Sequence, residues 1–156
     1  VSIANYNCPG QIVITGEAAA VAEAGTALKE AGARRVLPLK VSGPFHSPMM
    51  RPAGEELAKV FARVSMNPLK IPYVANINAE VITDCGRIEG LLVEQVSGSV
   101  RWQQSVETMI REGVDTFVEI GPGKTLTGFL RKIDKNVKAY HIGSWEEAVQ
   151  VCEELK

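Results

Sequence analysis

Apolar and polar positions along this chain follow two periods in turn. Stretches of alternating or continuous apolar residues, typical of strands, are interleaved with stripes at i, i+3 and i+4 spacing, typical of amphipathic helices. Strands are predicted at Val1–Asn5, Gln11–Thr15, Arg34–Leu39, Ile71–Ala75, Thr116–Ile120 and Val137–Ile142. Helices are predicted at Glu17–Ala31, along the stripe from Met50 to Val64, at Ile88–Val96, at Trp102–Glu112, along the stripe from Leu126 to Ile133, and at Ser144–Leu155. This alternation indicates an α/β protein with mostly parallel strand pairing.

Turn and cap residues mark several of these boundaries. Pro9-Gly10 predicts a turn between the first two strands, and Gly32 is a suitable residue to follow the end of the first helix. Ser144 and Glu147 have the spacing of a capping box at the start of the last helix. Two strands, a helix and a strand within the first 40 residues resemble the second part of a βαββαβ unit whose opening would lie upstream.

Composition narrows the class of protein. The 156 residues are 46% hydrophobic and 22% charged, with a net charge of −1. This balance is typical of a globular protein and excludes bulk electrostatic attraction to nucleic acid. No apolar run approaches the roughly 20 residues that span a bilayer, and no signal peptide is visible. Three cysteines at long spacings argue against a disulfide framework and favour a reducing, cytoplasmic location. Because the chain begins at Val1 without an initiator methionine, we expect processing or a piece of a longer protein.

Charge is distributed unevenly. Residues 1–78 contain eight Lys/Arg and five Glu, whereas residues 79–156 contain nine Lys/Arg and thirteen Asp/Glu. A basic patch can therefore exist in the first half although the chain as a whole is nearly neutral. Arg34-Arg35 and Arg131-Lys132 are two small basic groups. They are either solvated surface charge or a docking patch for an acidic partner.

His46 is the strongest candidate for chemistry among the two histidines. It lies in an aperiodic loop after a predicted strand, between Pro44 and Pro48, which restrict the backbone. It is either a general base or a turn-stabilising residue, whereas His141, at the end of a strand, is predicted to be structural. A base needs a nucleophile, but the chain has no Gly-x-Ser-x-Gly elbow. Ser47 is a poor candidate because it is adjacent to His46 in sequence, and the side chains of neighbouring residues usually diverge. The chain therefore offers a base without a convincing nucleophile.

The glycine-rich segment Gly121-Pro122-Gly123-Lys124-Thr125 connects a predicted strand to a predicted helix. A phosphate-binding P-loop would require glycine at position 118, which is Val118 inside the strand. A tight strand-to-helix turn is therefore the favoured interpretation. Anion binding at the helix N-terminus stays open as the alternative.

Several segments, in this order along the chain, resemble one family. They are Asn5–Gly16, with its Asn-aromatic-Asn-x-Pro-Gly-Gln pattern, the loop Val41–Ser47, the helix Leu92–Val96, the turn Val100–Trp102 and the segment Glu119–Lys124. Together they are similar to the malonyl-CoA:acyl carrier protein transacylases of bacterial fatty-acid synthesis. Cys8 departs from the family, in which serine is usual at that position.

The resemblance covers only the C-terminal half of such an enzyme. It implies an α/β-hydrolase-like acyltransferase body, residues 41–156, preceded by the rest of a small ferredoxin-like lobe, residues 1–40. The family's nucleophilic serine, its carboxylate-binding arginine and its oxyanion-hole amides would all lie upstream. We therefore expect the isolated chain to be inactive and to need the N-terminal half of the same enzyme as a partner.

The resemblance also implies roles for individual residues. His46 would be the general base, oriented by the backbone carbonyl of Gln95, and Phe45 and Asn7 would contact substrate. Acyl carrier protein would dock on Arg34, Arg35, Arg131 and Lys132. The substrates would be malonyl-CoA and the phosphopantetheine thiol of the carrier, with no cofactor or metal. The alternative is a non-catalytic ferredoxin-like module that binds a ligand or an anion.

Overall fold

The computed structural model describes all residues, Val1–Lys156, and contains six helices and three two-stranded sheets. The strands are β1 (Ser2–Cys8), β2 (Gln11–Thr15), β3 (Tyr73–Val74), β4 (Val81–Ile82), β5 (Thr116–Ile120) and β6 (Lys138–Ile142). The helices are α1 (Ala18–Glu30), α2 (Arg51–Phe61), α3 (Ile88–Ser97), α4 (Trp102–Arg111), α5 (Thr125–Ile133) and α6 (Trp145–Glu154). Single 3-10 turns at Pro48–Met50 and Cys85–Arg87 precede α2 and α3. The predicted α/β class is confirmed.

The expectation of mostly parallel pairing was wrong. Among the strands, β5 and β6 pair in parallel, whereas β1–β2 and β3–β4 are antiparallel, and Asn5 of β1 forms an isolated parallel bridge with Val100. The cause is the length of the connections, because a short turn allows only antiparallel neighbours and a parallel pair needs a crossover. Pro9 and Gly10 close the first hairpin, with Gly10 at a φ of 77°.

The predicted strand Arg34–Leu39 was also wrong, because these residues form no regular structure. A strand needs a neighbour for its backbone groups, and no strand of this chain pairs with this segment. Val36 packs against α1 at Gly25, while Leu37 and Leu39 are 70% and 60% exposed. The apolar alternation therefore did not mark a strand of a sheet here.

Three further boundaries differ from the sequence pattern. The strand predicted at Ile71–Ala75 shortens to β3, and its partner β4 was not predicted. A two-residue strand is too short to display a period. The stripe that ended at Val64 exceeds α2, which ends at Phe61.

Strand β1 is paired along both of its edges. Its register with β2 skips Ala4 and Asn7, which are bulge residues. On the other edge, the Ala4 carbonyl accepts from the Val100 amide at 2.7 Å, and the Tyr6 amide donates to the Val100 carbonyl at 2.8 Å. The segment that joins α3 to α4 is thereby fixed to the first hairpin.

The C-terminal quarter is a parallel βαβ unit, in which α5 connects β5 to β6 and α6 packs on β6. Leu130 of α5 and Val151 of α6 are buried there. The Glu119 carboxylate accepts hydrogen bonds from the Leu126 and Thr127 amides, at 3.0 and 2.7 Å, and closes the start of α5. The predicted cap of α6 is present, because the Ser144 hydroxyl accepts from the Glu147 amide at 3.3 Å.

An unusually large share of this chain is exposed. Only 13 of 156 residues are buried, and the accessible surface is 10750 Å². A compact monomer of this mass is expected to expose about 7700 Å². The apolar residues that are more than two-thirds exposed are Leu37, Ile71, Ile120 and Trp145. No helix is long and apolar enough to cross a membrane.

Candidate active site

The loop that carries His46 is held by the residue that follows it. The Ser47 hydroxyl donates to the Pro44 carbonyl at 2.6 Å and accepts from the Met49 amide at 3.3 Å. These bonds close the loop and start the 3-10 turn that leads into α2. Ser47 is buried, with 1% exposure, and its hydroxyl is turned into its own loop. It is therefore a structural residue and not a nucleophile for His46.

The backbone of His46 is strained. Its φ is 57°, in the left-handed region that a non-glycine residue occupies at a cost of roughly 1–2 kcal/mol. Such conformations are concentrated at functional sites, where the surrounding structure imposes them. Here the Ser47 bonds on one side and the imidazole contact with α3 on the other impose it.

The imidazole contacts the end of α3 through one ring nitrogen. His46 Nδ1 lies 3.1 Å from the Gln95 carbonyl oxygen. In a continuing helix this carbonyl would accept from the amide of Ser99, but α3 ends at Ser97 and leaves it free. The C-terminal end of a helix carries partial negative charge and stabilises a nearby cation. The contact can therefore orient a neutral imidazole and stabilise the imidazolium that forms when His46 takes a proton.

Close packing of two helices holds the two halves of this contact together. Gly54 of α2 lies against α3, where a Cβ at position 54 would be 3.1 Å from the Val93 carbonyl oxygen. A side chain there would push apart the helix that follows His46 and the helix that carries Gln95. The distance between Nδ1 and the Gln95 carbonyl thus depends on a glycine eight residues from the histidine.

Phe45 and Asn7 have side chains that the chain itself does not use. Phe45 is 48% exposed, and a Cβ at position 43 would lie 3.6 Å from its ring. Asn7 is the second bulge residue of β1, and its side chain makes no hydrogen bond within the chain. Bulges re-aim side chains out of a sheet, which leaves the Asn7 amide free for another partner.

The two basic groups lie on separate elements. Arg34 and Arg35 are exposed in the irregular segment after α1, and Arg131 and Lys132 are exposed in the last turn of α5. No ion pair neutralises any of them. No hydrogen bond or ion pair joins either group to the His46 loop.

His141 contacts the glycine-rich turn and the start of α6. Its Nε2 lies 3.0 Å from the Gly121 carbonyl oxygen, and its Nδ1 lies 3.4 Å from Glu147 Oε2. The side chain is 10% exposed. These contacts connect β6 to the turn after β5 and to the next helix, which is a structural arrangement.

The turn Gly121–Lys124 does not present a free anion site. Partial burial acts to raise the pKa of Glu119, but the hydrogen bonds from Thr127 and Leu126 outweigh it and hold that pKa below its usual range. The carboxylate is therefore ionised near neutral pH and already occupies the N-terminal amides of α5. An external anion would have to displace it, which disfavours the anion-binding alternative.

Two participants of the site were missed from the sequence. The Gln95 side chain donates from Nε2 to the Gly98 carbonyl at 2.9 Å, and the Ser99 hydroxyl donates to the Ile3 carbonyl at 2.5 Å. The sequence offered no signal for either, because an amide and a hydroxyl near a helix end have many possible partners. The acceptor of the Ser99 hydroxyl lies 96 residues away along the chain.

A histidine that is oriented through one ring nitrogen is an arrangement that many enzymes use for general-base catalysis. Comparison with known proteins identifies the family. Residues 1–151 match the acyl transferase domain family, and the chain belongs to that family. Its relatives include the malonyl CoA-acyl carrier protein transacylases of Bacillus subtilis, 42% identical over 156 residues, and of Staphylococcus aureus, 42% identical over 144 residues.

The chain spans about half the length of the curated relatives that it matches. The match to the Bacillus subtilis protein includes 100% of this chain and 49% of that protein. The match to the Staphylococcus aureus protein includes 92% of this chain and 47% of that protein. The solved transacylase of Streptococcus pneumoniae is 44% identical, with a TM-score of 0.92 over 98% of this chain and 50% of its own. A malonyl-transacylase in complex with a type II polyketide synthase acyl carrier protein is 38% identical, with a TM-score of 0.95 and the same coverage.

The strained backbone at position 46 has a measurable consequence for stability. His46→Gly and His46→Ala both remove the imidazole, but only glycine relieves the positive φ. We expect the glycine variant to have a free energy of unfolding about 1 kcal/mol higher than that of the alanine variant. Urea unfolding of both variants measures the difference. The control is Lys59 in α2, where glycine should instead be about 0.5–1 kcal/mol less stable than alanine. A His46→Ala variant as stable as His46→Gly would contradict the strain.

Proposed function

We propose that this chain is the histidine-bearing part of a malonyl-CoA:acyl carrier protein transacylase. The observation that carries the proposal is the contact between His46 Nδ1 and the Gln95 carbonyl, because it leaves Nε2 free to accept a proton. Membership of the acyl transferase family and the names of the relatives support this choice of reaction.

The proposed reaction has two half reactions on one serine. In the first, a seryl hydroxyl from the complementary part of the enzyme attacks the thioester carbon of malonyl-CoA, and His46 Nε2 takes the hydroxyl proton. The tetrahedral intermediate collapses, the carbon–sulfur bond breaks, and the departing CoA sulfur takes the proton from His46. In the second, the phosphopantetheine thiol gives its proton to His46 and attacks the malonyl-serine ester. The serine oxygen leaves and recovers that proton.

A backbone carbonyl is a suitable orienter for this base. It accepts only from a protonated Nδ1, and so it favours the tautomer whose Nε2 is unprotonated. It also introduces no second buried charge next to the malonyl carboxylate. The free carbonyl at the end of α3 contributes helix-dipole stabilisation of the imidazolium instead.

The part of the transacylase that carries the serine is proposed to cover the exposed apolar surface of this chain. The accessible surface of 10750 Å² exceeds the expectation for a compact monomer by roughly 3000 Å². Strand β5 pairs only with β6, and its Val118 and Ile120 are exposed on one face, although parallel sheets are normally buried on both faces. A further parallel strand and covering helices would bury these residues.

The proposed subdivision places residues 1–40 in a small ferredoxin-like lobe and residues 41–156 in the acyltransferase body. A hairpin followed by a helix, β1–β2–α1, is consistent with part of such a lobe. The boundary is crossed by the backbone bonds between β1 and Val100, and α4 and α5 both contact β1. The two parts are therefore expected to move as one body along this seam.

Transfer activity tests the reaction and the role of His46. We expect no malonyl transfer from the isolated chain, and transfer from a chimera in which the chain replaces the segment that it matches in the Bacillus subtilis relative. His46→Asn in the chimera should lower the rate about 10²–10⁴-fold, the usual contribution of a general base. The measurement is labelled malonyl transfer to carrier protein, with Lys59→Ala as the control. An unchanged rate for His46→Asn would remove this residue from the mechanism.

The Phe45 ring is proposed to line the acyl pocket, because it directly precedes His46 and about half of its surface is exposed. A ring at this point would clash with an α-methyl branch of the substrate. We expect Phe45→Ser in the chimera to raise kcat/KM for methylmalonyl-CoA relative to malonyl-CoA, within the roughly 10–200-fold that a single methyl group is worth. Val60→Ser, an exposed apolar residue of α2, is the matched control. An unaltered ratio with both rates reduced would restrict Phe45 to loop support.

The two basic groups are proposed to dock the acyl carrier protein. Charge complementarity acts mainly on encounter, so reversal should raise KM for the carrier and leave the malonyl-CoA half reaction unchanged. We therefore expect Arg34→Glu with Arg35→Glu, or Arg131→Glu with Lys132→Glu, to weaken use of the carrier, with a smaller effect at high salt. Comparing the two double variants in the chimera identifies which surface the carrier meets. Equal losses in both half reactions would make the residues structural.

A further inference from the structure

The Gln95 side chain competes for the same ring nitrogen that its own backbone orients. Gln95 Nε2 lies 3.4 Å from His46 Nδ1, and the Gln95 carbonyl oxygen lies 3.1 Å from it. Nδ1 cannot satisfy both contacts, because the carbonyl requires a proton on Nδ1 and the amide requires a lone pair there. Only the first arrangement leaves Nε2 unprotonated. The outcome of this competition decides whether His46 can act as a base.

Two backbone carbonyls compete with Nδ1 for the amide. Gln95 Nε2 donates to the Gly98 carbonyl at 2.9 Å and lies 3.4 Å from the Ser99 carbonyl, the same distance as from Nδ1. The amide has two hydrogens for three acceptors, so the Ser99 carbonyl and Nδ1 compete for the hydrogen that Gly98 does not use. Gln95 Oε1 is buried and has no partner, so the amide is anchored through Nε2 alone. Movement of residues 98 and 99 would therefore release the amide toward the imidazole.

The position of these carbonyls is set by the first hairpin. The Ser99 hydroxyl donates to the Ile3 carbonyl at 2.5 Å, and the next residue, Val100, exchanges backbone bonds with Ala4 and Tyr6. The hydrogen bond from the Ser99 hydroxyl to the Ile3 carbonyl is the one side-chain hydrogen bond that joins this segment to β1. It fixes the residue whose own carbonyl faces the Gln95 amide.

We propose that the Gln95 amide and the Ser99 hydroxyl are positioning residues that set the tautomer of His46. With Ser99 bound to β1, the amide stays on the Gly98 and Ser99 carbonyls, and His46 carries its proton on Nδ1. Without that bond, the amide turns to Nδ1, and the proton moves to Nε2, where the ring cannot act as a base. The hairpin of the N-terminal segment thereby controls the base. The effect on the tautomer follows from the contacts alone, whereas the effect on catalysis rests on the proposed function.

Nuclear magnetic resonance of the imidazole nitrogens tests the tautomer directly in the full 156-residue chain. At a pH where His46 is neutral, we expect the Nδ1–H form to predominate in the unmodified chain. Ser99→Ala should raise the ratio of Nε2–H to Nδ1–H by about 2–12-fold, the range that follows from losing one net hydrogen bond. Ser99→Thr keeps the hydroxyl and should keep the original ratio. Predominance of Nε2–H in the unmodified chain would overturn the proposal at once.

A double variant separates this role from a merely structural one. Gln95→Met has a similar length but no N–H to offer Nδ1, so Ser99→Ala combined with Gln95→Met should restore the Nδ1–H form. Ser144→Ala, which removes the cap of α6, is the control for lost stability and should leave the tautomer unchanged. A double variant that keeps the altered ratio of Ser99→Ala would contradict the competition. If Ser99→Ala does not fold, Ser99→Cys provides a weaker donor, and an unchanged tautomer in it would count against the proposal.

Activity of the chimera gives the second readout. Ser99→Ala should lower kcat in proportion to the fraction of His46 that remains in the Nδ1–H form, with KM for malonyl-CoA unchanged, and Gln95→Met should restore kcat in the double variant. A measured fall in that fraction without a matching fall in kcat would keep the positioning network and refute the role of His46 as base. A fall in kcat without a tautomer shift would refute the network and leave the proposed function intact.

Discussion

The hydrogen bond between His46 Nδ1 and the Gln95 carbonyl connects the three parts of the site. It requires that α3 end at Ser97, because only a carbonyl in the last turn of a helix lacks its usual amide partner. It requires that α2 approach α3 closely at Gly54. It also requires that His46 accept a left-handed backbone, which Ser47 and the adjoining turn enforce. The first and third conditions are local, the second is a contact between two helices, and together they hold one imidazole in one orientation.

Strand β1 extends this arrangement to the N-terminal segment. A strand presents backbone groups along two edges, and β1 pairs with β2 along one edge and with Val100 along the other. The segment between α3 and α4 consequently lies between the hairpin and the Gln95–His46 contact. The hairpin therefore contributes to the position of the residues that follow Gln95.

The chain completes some of its contacts by itself and leaves other groups exposed. The orientation of Nδ1 and the cap of α5 by Glu119 are made by residues within these 156. The open edge of β5 and the exposed side chains of Leu37, Leu39 and Ile120 have no partner among them. This division agrees with a chain that spans about half the length of its relatives. The His46–Gln95 contact is complete within these residues, whereas the surface around them exposes apolar side chains.

The local pattern of the sequence determined the α/β class, the six helices, the hairpin turn at Pro9-Gly10 and the cap at Ser144, because helix periodicity, turn residues and caps act over a few positions. It also singled out the His46 loop, through its flanking prolines. Tertiary structure decided the rest. Strand pairing is non-local, so Arg34–Leu39 has the pattern of a strand but no neighbour, and β4 forms from two residues because β3 lies beside it. The partners of the Gln95 amide and the Ser99 hydroxyl were equally hidden, since a polar side chain acquires its role from the acceptor that folding brings within about 3 Å of it.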